Sequence, residues 1–528
     1  MRRRLILIAL SLATTACGGG GGGGGATGPG SSQNLPPVFT SGTSATVPEN
    51  SAGPVYQAAA SDPEGRPLTF TISGGPDAAR FTISTGGAVS FIAPPDFERP
   101  ADADANNSYL VTITVSDGVN SVAQNVTIIV TDVAGDNIQV RALSRVGVNP
   151  VQLATLPGDR RLAVVSDTDV WLVDSATGAN QILMPTRVPA DRTVGCDLQI
   201  RSVAFSPNFA ADRIFYALGF CERRYLDIRR FRFPNGGGAV VGVGERILKA
   251  DVDPFAAAEP EARGAEIRFA PDGLLYAAVG DNSDDFGRTP GPGTNGWARD
   301  LSRLAGKVLR IDVNGDDFPA DPDRNYRIPA GNPFIAGGGA PEIFSFGFHI
   351  PQGLEFNGSD VLLADRGYYH PIDAPNPVHE IDLVRLADAG GDYGFWNCQG
   401  DRNFSGSGPC TFPTILPVVQ AGDPALDVFR RWLIGGIVYE GPILDLRGQY
   451  LFALGAPDGV KPPSFWSVPV TQLQQGANLK LTSLRDRTAD LKPVGGVLNA
   501  VMALGEDLQG NAYILDQDGD IFVIAPAP

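Results

Sequence analysis

All three histidines of the chain, His349, His370 and His379, fall within one stretch of 31 residues. Histidine is the side chain whose charge changes nearest neutral pH and the commonest ligand of transition metals. Together with carboxylates such as Glu380 and Asp281, these imidazoles would suit zinc or iron. Their spacing is that of loops, without a His-Glu-x-x-His helix, so convergence depends on how the surrounding chain folds. A core or surface position accounts equally well for each histidine taken singly.

The elements around this stretch are short strands. From about Gln139 onward a turn containing Gly or Asn repeatedly feeds an apolar run, as where Phe269-Ala270-Pro271-Asp272-Gly273 precedes Leu274–Val279 and Phe356-Asn357-Gly358 precedes Val361–Ala364. Over roughly 390 residues such units predict about six four-stranded blades of a β-propeller spanning 138–528. Asp516-Gln517-Asp518-Gly519-Asp520 reads as a solvated hairpin turn between two β runs. Asp312–Asp316 opens like a calcium loop, but Asp317 stands where that loop needs glycine.

Residues 37–137 alternate apolar and polar positions in about seven short runs, such as Tyr109–Val115 and Val126–Val130, the pattern of a β-sandwich. Its carboxylates sit at strand ends: Glu49, Asp62, Glu64, Asp96, Glu98, Asp117, Asp132 and Asp136. Calcium takes six to eight oxygens, which strand-end loops can gather at one pole. Pro48-Glu49-Asn50, Ala60-Ser61-Asp62-Pro63-Glu64, Pro95-Asp96-Phe97-Glu98 and Val115-Ser116-Asp117 occur in the order and spacing of a cadherin repeat, which this domain resembles. The resemblance implies calcium at the poles, with Glu49, Asp96 and Glu98 at one and Asp62, Glu64 and Asp117 at the other. The exit through Asp132 and Asp136 departs from that family's usual ending, and Glu64 replaces an aspartate.

The larger region resembles the glucose/sorbosone dehydrogenases. Phe269–Asp281 (FAPDGLLYAAVGD), Gly306–Asp312 (GKVLRID), Pro341–Gly347 (PEIFSFG), Pro351–Leu354 (PQGL), Asp392–Trp396 (DYGFW) and Gly435–Tyr439 (GGIVY) follow that family's words in order. The resemblance implies a six-bladed propeller that oxidises aldose sugars with pyrroloquinoline quinone and calcium. Such chemistry needs a base for the hydroxyl proton and cationic support for the reduced quinone. Here Ala262 occupies the position of the family's histidine base, His349 that of an arginine and Ile350 that of an asparagine beside the quinone. Asp281 matches the carboxylate that orients the base, Gln352 remains in the quinone motif, and Glu380 matches a calcium-linked glutamate with His379 as its altered neighbour. Alanine accepts no proton and isoleucine no hydrogen bond, so the scaffold words outlast the reacting groups.

Composition bounds the partners. A net charge of −17 and a pI near 4.6 argue against nucleic acid, and no internal apolar run is long enough to span a bilayer. Met1–Arg4 followed by the apolar Leu5–Ala13 reads as an export signal. Thr14-Thr15-Ala16-Cys17 resembles a bacterial lipobox, which implies residues 1–17 as a lipoprotein signal and Cys17 as the lipidated residue; ordinary cleavage is the alternative. Gly18 in place of aspartate points to the outer membrane, reached only through the lipid anchor. Residues 18–36 form a glycine-rich tether. The other four cysteines allow three pairings, of which Cys196–Cys221 and Cys398–Cys410 are the most local.

The chain therefore reads as an all-β, surface-anchored, calcium-binding lipoprotein whose cadherin-like sandwich presents a catalytically degenerate propeller. Its partner would be a carbohydrate or another cell-surface ligand, with a role in adhesion. The alternatives are quinone-dependent aldose oxidation and a metal-dependent enzyme built on His349, His370 and His379.

Overall fold

The computed structural model describes residues 33–97, 100–133, 138–190, 196–221, 224–235, 237–252, 264–281, 296–367, 378–395, 398–399, 401–403, 409–410, 413–421, 432–455 and 462–527. The signal segment with Cys17, most of the tether, Glu98, Asp136, Ala262 and His370 lie outside them. The chain divides into two compact units, Met1–Val133 and Ala134–Pro528. Among the described residues α-helix is confined to Phe209–Asp212 and Gly296–Arg299, and no helix is long and apolar enough to cross a membrane.

The first unit is a β-sandwich. Ser44–Pro48, Ser121–Thr131, Ser108–Ser116 and Thr69–Gly74 form one sheet, and Pro54–Gln57, Ala88–Phe91 and Phe81–Ile83 the other. Alternation decides which side faces inward: Tyr109, Val111, Ile113 and Val115 are almost wholly buried, whereas Leu110 between them is exposed. Tyr109 meets Phe81 and Phe91 edge-on in the core.

The second unit is a six-bladed propeller. Its innermost strands are Gln152–Thr155, Leu198–Phe205, Ala265–Phe269, Ile350–Asn357, Trp432–Tyr439 and Val501–Glu506, each in a sheet of four or five strands that it heads, except that the short Arg187–Val188 pairs with the start of Leu198–Phe205. Each innermost strand touches the next, and the sixth touches the first, which closes the ring. The outermost strand of the sixth blade is Ile138–Arg145, paired antiparallel with Asp520–Pro526, so the two ends of the unit share one sheet. The apolar core is divided into six clusters, one between each pair of neighbouring blades. Strands packed on both faces read as continuous apolar runs, as in Leu162-Ala163-Val164-Val165.

Apart from Leu198 and Gln199, which pair with Arg187–Val188, the innermost strands have no strand neighbour on the axial edge among the described residues, and side chains take that place. Gln152 accepts from the backbone N–H of Val203 (2.7 Å), Ser202 from Ile267 (2.9 Å) and Glu266 from Leu354 (2.9 Å). Each of these blades thus caps the backbone of the next.

Two glycines of the family words explain themselves here. Gly353 and Gly435 lie back to back on neighbouring innermost strands, and a Cβ on either would sit 2.7 Å from the other's Cα. Both also have positive φ, +78° and +83°. Gly353→Ala is therefore expected to cost about 2–4 kcal/mol from strain and clash combined, read as a lower melting temperature of the propeller by calorimetry. An unchanged melting temperature would show that these strands need no such approach.

Candidate functional site

Four innermost strands carry a β-bulge near their starts, between Ile200 and Ser202, Gln352 and Leu354, Leu433 and Gly435, and Val501 and Ala503. The extra residues are Arg201, Gly353, Ile434 and Met502. A bulge re-aims a side chain out of the alternating pattern, and all four residues line a cavity of about 300 Å³ on the propeller axis. Asn149, Gln352, Trp432 and Gln517 add polar and aromatic wall, and Glu266 and Arg268 form the deeper part. The Arg366 guanidinium covers the Trp432 ring at 4.4 Å from its centroid.

The charges inside this cavity engage one another, with one arginine shared by two glutamates. Arg268 pairs with Glu355 and, at 3.4 Å, with Glu266. Glu266 uses its other oxygen to hold the Leu354 N–H. Burial pushes the Glu355 carboxyl up, against the pull of Arg268. Both oxygens of Glu266 are thus committed to holding the channel wall.

The histidine window resolves differently from the sequence expectation. His349 is buried, its Nδ1 lies 2.7 Å from the Arg366 carbonyl oxygen, and its ring packs on Phe395. Burial holds its pKa at about 3, so the ring is neutral near pH 7. It is not part of the cavity wall. His379 is equally buried and accepts the Gly367 N–H at Nδ1, which makes Nε2 its protonated nitrogen. Among the described residues no histidine belongs to a group of three ligand atoms within 4.8 Å, and His370 lies outside them. Among the described residues His349 and His379 are each held by backbone at Nδ1, by the Arg366 carbonyl and the Gly367 N–H, and they meet no third metal-ligating group.

Asp281 is buried, and its backbone N–H donates to the His349 carbonyl at 2.9 Å, joining the third blade to the fourth. It too is absent from the cavity wall, whereas Gln352 stands in it. Glu380 faces Asp365 across a strand pair, with Asp382 two residues on along the same face. Asp365 accepts the N–H groups of His349 and Ile350, and burial pushes its carboxyl to about 7 and that of Asp382 well above the usual range. Lys307 of the GKVLRID word is also buried and donates to the carbonyls of Trp297, Ala298 and Ala305, with its pKa pulled down by burial to about 7.

Cys196 and Cys221 form a disulfide, as do Cys398 and Cys410. Asp227 approaches the first pair closely enough to suggest a metal, but its carboxylate is taken by Arg229 (2.8 Å) and Arg246 (3.2 Å) and the sulfurs by each other. Asp516, expected to be solvated, is buried and caps the N–H groups of Asn499 and Ala500.

In the first unit the strand-end carboxylates mostly hold backbone. Glu49 accepts from Phe97 and Val133, each at 2.8 Å, and Asp62 accepts from Glu64 and Arg66. Asp117 takes the N–H groups of Asn120 and Val119 and the Asn34 amide, bonds that draw its carboxyl down to about 2. Leu35 donates to Glu64, so residues 34–35 bridge Asp117 and Glu64. Two buried oxygens at this pole, Asn34 Oδ1 and Asp62 Oδ2, have no hydrogen-bond partner. Among the described residues the acids of this unit, including Asp96 and Asp132, form no group of three within 4.8 Å.

Sequence reasoning missed Arg201, Glu266, Arg268, Trp432 and Met502. The only signal for them was a charged residue interrupting an apolar strand, as in Glu266-Ile267-Arg268, and bulges leave no sequence mark.

The glucose/sorbosone dehydrogenase family model matches residues 148–414, and a bacterial Ig domain model matches residues 34–131. The HIPL2 protein of Arabidopsis thaliana is 30% identical over 155 residues, 28% of this chain and 20% of that protein. Hedgehog-interacting protein of Mus musculus is 29% identical over 269 residues, 48% of this chain and 30% of that protein. The chain thus spans less than a third of the length of these relatives. A crystal structure of a glucose dehydrogenase superposes with a TM-score of 0.50 at 18% identity, covering 74% of this chain and 99% of that one, and likewise has this fold. The quinone-bound aldose sugar dehydrogenase of Streptomyces coelicolor gives 0.49 at 19% identity, with the same coverage.

Proposed function

The chain belongs to the glucose/sorbosone dehydrogenase family, and from that premise we propose that its propeller retains the axial cavity as a carbohydrate-binding site without the family's oxidation chemistry. The observation that carries this reading is the wall of the cavity. Trp432 offers an aromatic surface, and Asn149, Gln352, Gln517 and Arg201 offer hydrogen-bonding groups, set among the apolar Ile434 and Met502. Sugars present apolar C–H faces and a rim of hydroxyls, which such a wall complements.

The residues do not fit quinone-dependent oxidation. Ala262 stands at the base position, Ile350 is buried and apolar where an amide is needed, and His349 is turned away from the cavity. Of the two acids in the wall, Glu266 has both oxygens engaged and Asp167 accepts from the Asn149 amide at one of its own.

A glycan array followed by titration calorimetry is expected to find a saturable sugar ligand whose affinity falls about tenfold in Trp432→Ala, a loss of about 1.4 kcal/mol. Aldose-dependent dye reduction after addition of pyrroloquinoline quinone and calcium would overturn the reading in favour of an oxidoreductase.

The first unit supports calcium binding at the pole of Asp62, Glu64 and Asp117. The orphaned oxygens of Asn34 and Asp62, beside an ionised Asp117, are donors of the kind this hard cation takes. Millimolar calcium is expected to raise the melting temperature of this unit in the full-length protein by several degrees, and Asp62→Ala to remove the effect. Equal shifts in both proteins would exclude this pole. The N-terminal sequence supports an outer-membrane lipoprotein anchored through Cys17. Expressed in bacteria, Cys17→Ser is expected to move the protein from the membrane to the soluble fraction; retention in the membrane would refute the anchor.

A further inference from the structure

The innermost strands all run from one mouth of the propeller axis to the other. Their starts line the cavity described above, and their ends line a second one of about 370 Å³. Gln152, Leu153 and Arg268 belong to both walls, so the two cavities are the halves of one axial channel with its waist at these residues. The second half differs in chemistry from the first. Its wall is mixed, with Phe205, Phe269, Phe356 and Pro207 supplying apolar surface, and its acidic groups are Glu355 and Glu506.

Those two acids are not equivalent. Glu355 is paired with Arg268. Glu506 makes no hydrogen bond or ion pair among the described residues, although it lies close enough to Glu355, Arg268, Asp507 and Glu440 to feel their charge. Counting these neighbours, one cation faces four acids, Glu506 included. Aromatic side chains beside a carboxylate that no ion pair holds are complementary to an aliphatic stem with a cationic head.

We propose that this second mouth of the channel binds an organic cation, an alkylguanidinium or alkylammonium group, with its stem against Phe205, Phe269 and Phe356 and its head on Glu506. The cation would come from a free amine or from an arginine or lysine side chain of a partner protein.

Glu506 also makes the site pH-dependent. Burial, reinforced by the charge of Glu355, pushes its carboxyl up to about 8, with Arg268 opposing and Asp507, Glu440 and the nearby Tyr439 phenol as the other titratable groups around it. At pH 7 most of this carboxyl is protonated and neutral; at pH 9 most of it is ionised. Affinity for a cation therefore rises with pH.

Titration of the full-length protein with n-butylguanidinium and its neutral isostere n-butylurea is the test. The cation is expected to bind saturably and about tenfold more tightly at pH 9 than at pH 7, following the ionised fraction of one acid with a pKa near 8. The urea is expected not to bind, and Glu506→Gln to abolish cation binding at both pH values. Comparison with N-acetyl-arginine methylamide separates the sources: binding at least as tight as n-butylguanidinium marks a partner's side chain, and exclusion marks a free amine. No saturable binding at pH 9, equal binding of the urea, or undiminished binding in Glu506→Gln would overturn the proposal. The first two of these readouts use the unaltered chain and do not depend on how the variant folds.

Discussion

The axial edge of each innermost strand is the constraint on which the propeller rests. Radial sheets leave one row of backbone groups facing the channel with no strand to pair them, and a buried unpaired N–H costs about 1–3 kcal/mol. Gln152, Ser202 and Glu266 meet this demand by reaching sideways to the following blade. Because the acceptor belongs to one blade and the donor to the next, these bonds also fix blade position around the axis. Polar residues inside the ring are therefore first of all structural, and only those left over can serve a ligand.

The bulges decide which ones are left over. An added residue reverses the facing of the rest of its strand, so Arg201 and Met502 enter the channel while Ser202 turns to cap a neighbouring strand. This division of labour along a strand separates Gln352, in the wall, from His349, three residues earlier and buried against Phe395. Replacing an arginine by a histidine at this place yields a neutral core side chain. The charge present in the family pattern has no counterpart in the buried ring.

Much of the architecture was legible in the sequence because it rests on local patterns. Period-two alternation marks Tyr109–Val115 as a half-buried strand, and turn-then-strand words mark the blades, including the third blade's Phe269–Asp281. The family's glycines were legible as words, though their reason, the contact of Gly353 with Gly435, appears only when two blades are brought together. The site was much less legible. Where a side chain points depends on bulges and on contacts between residues far apart in sequence, such as Arg268 with Glu355. The histidine window was hard to read for the same reason: closeness along the chain says nothing about which backbone group will hold a ring nitrogen, a carbonyl for His349 and an N–H for His379.

The sheet shared by Ile138–Arg145 and Asp520–Pro526 carries a consequence for how the molecule is made. The first propeller strand to be synthesised pairs with one of the last, so it must remain without its native neighbour while the intervening blades form. Contacts of such sequence separation slow folding and leave a strand edge exposed to wrong pairing in the meantime. Arg141 and Arg145, exposed on that strand, place charge on the waiting edge. Ring closure therefore waits on the end of the chain, and until that seam forms the first strand's edge is open to other copies of the chain.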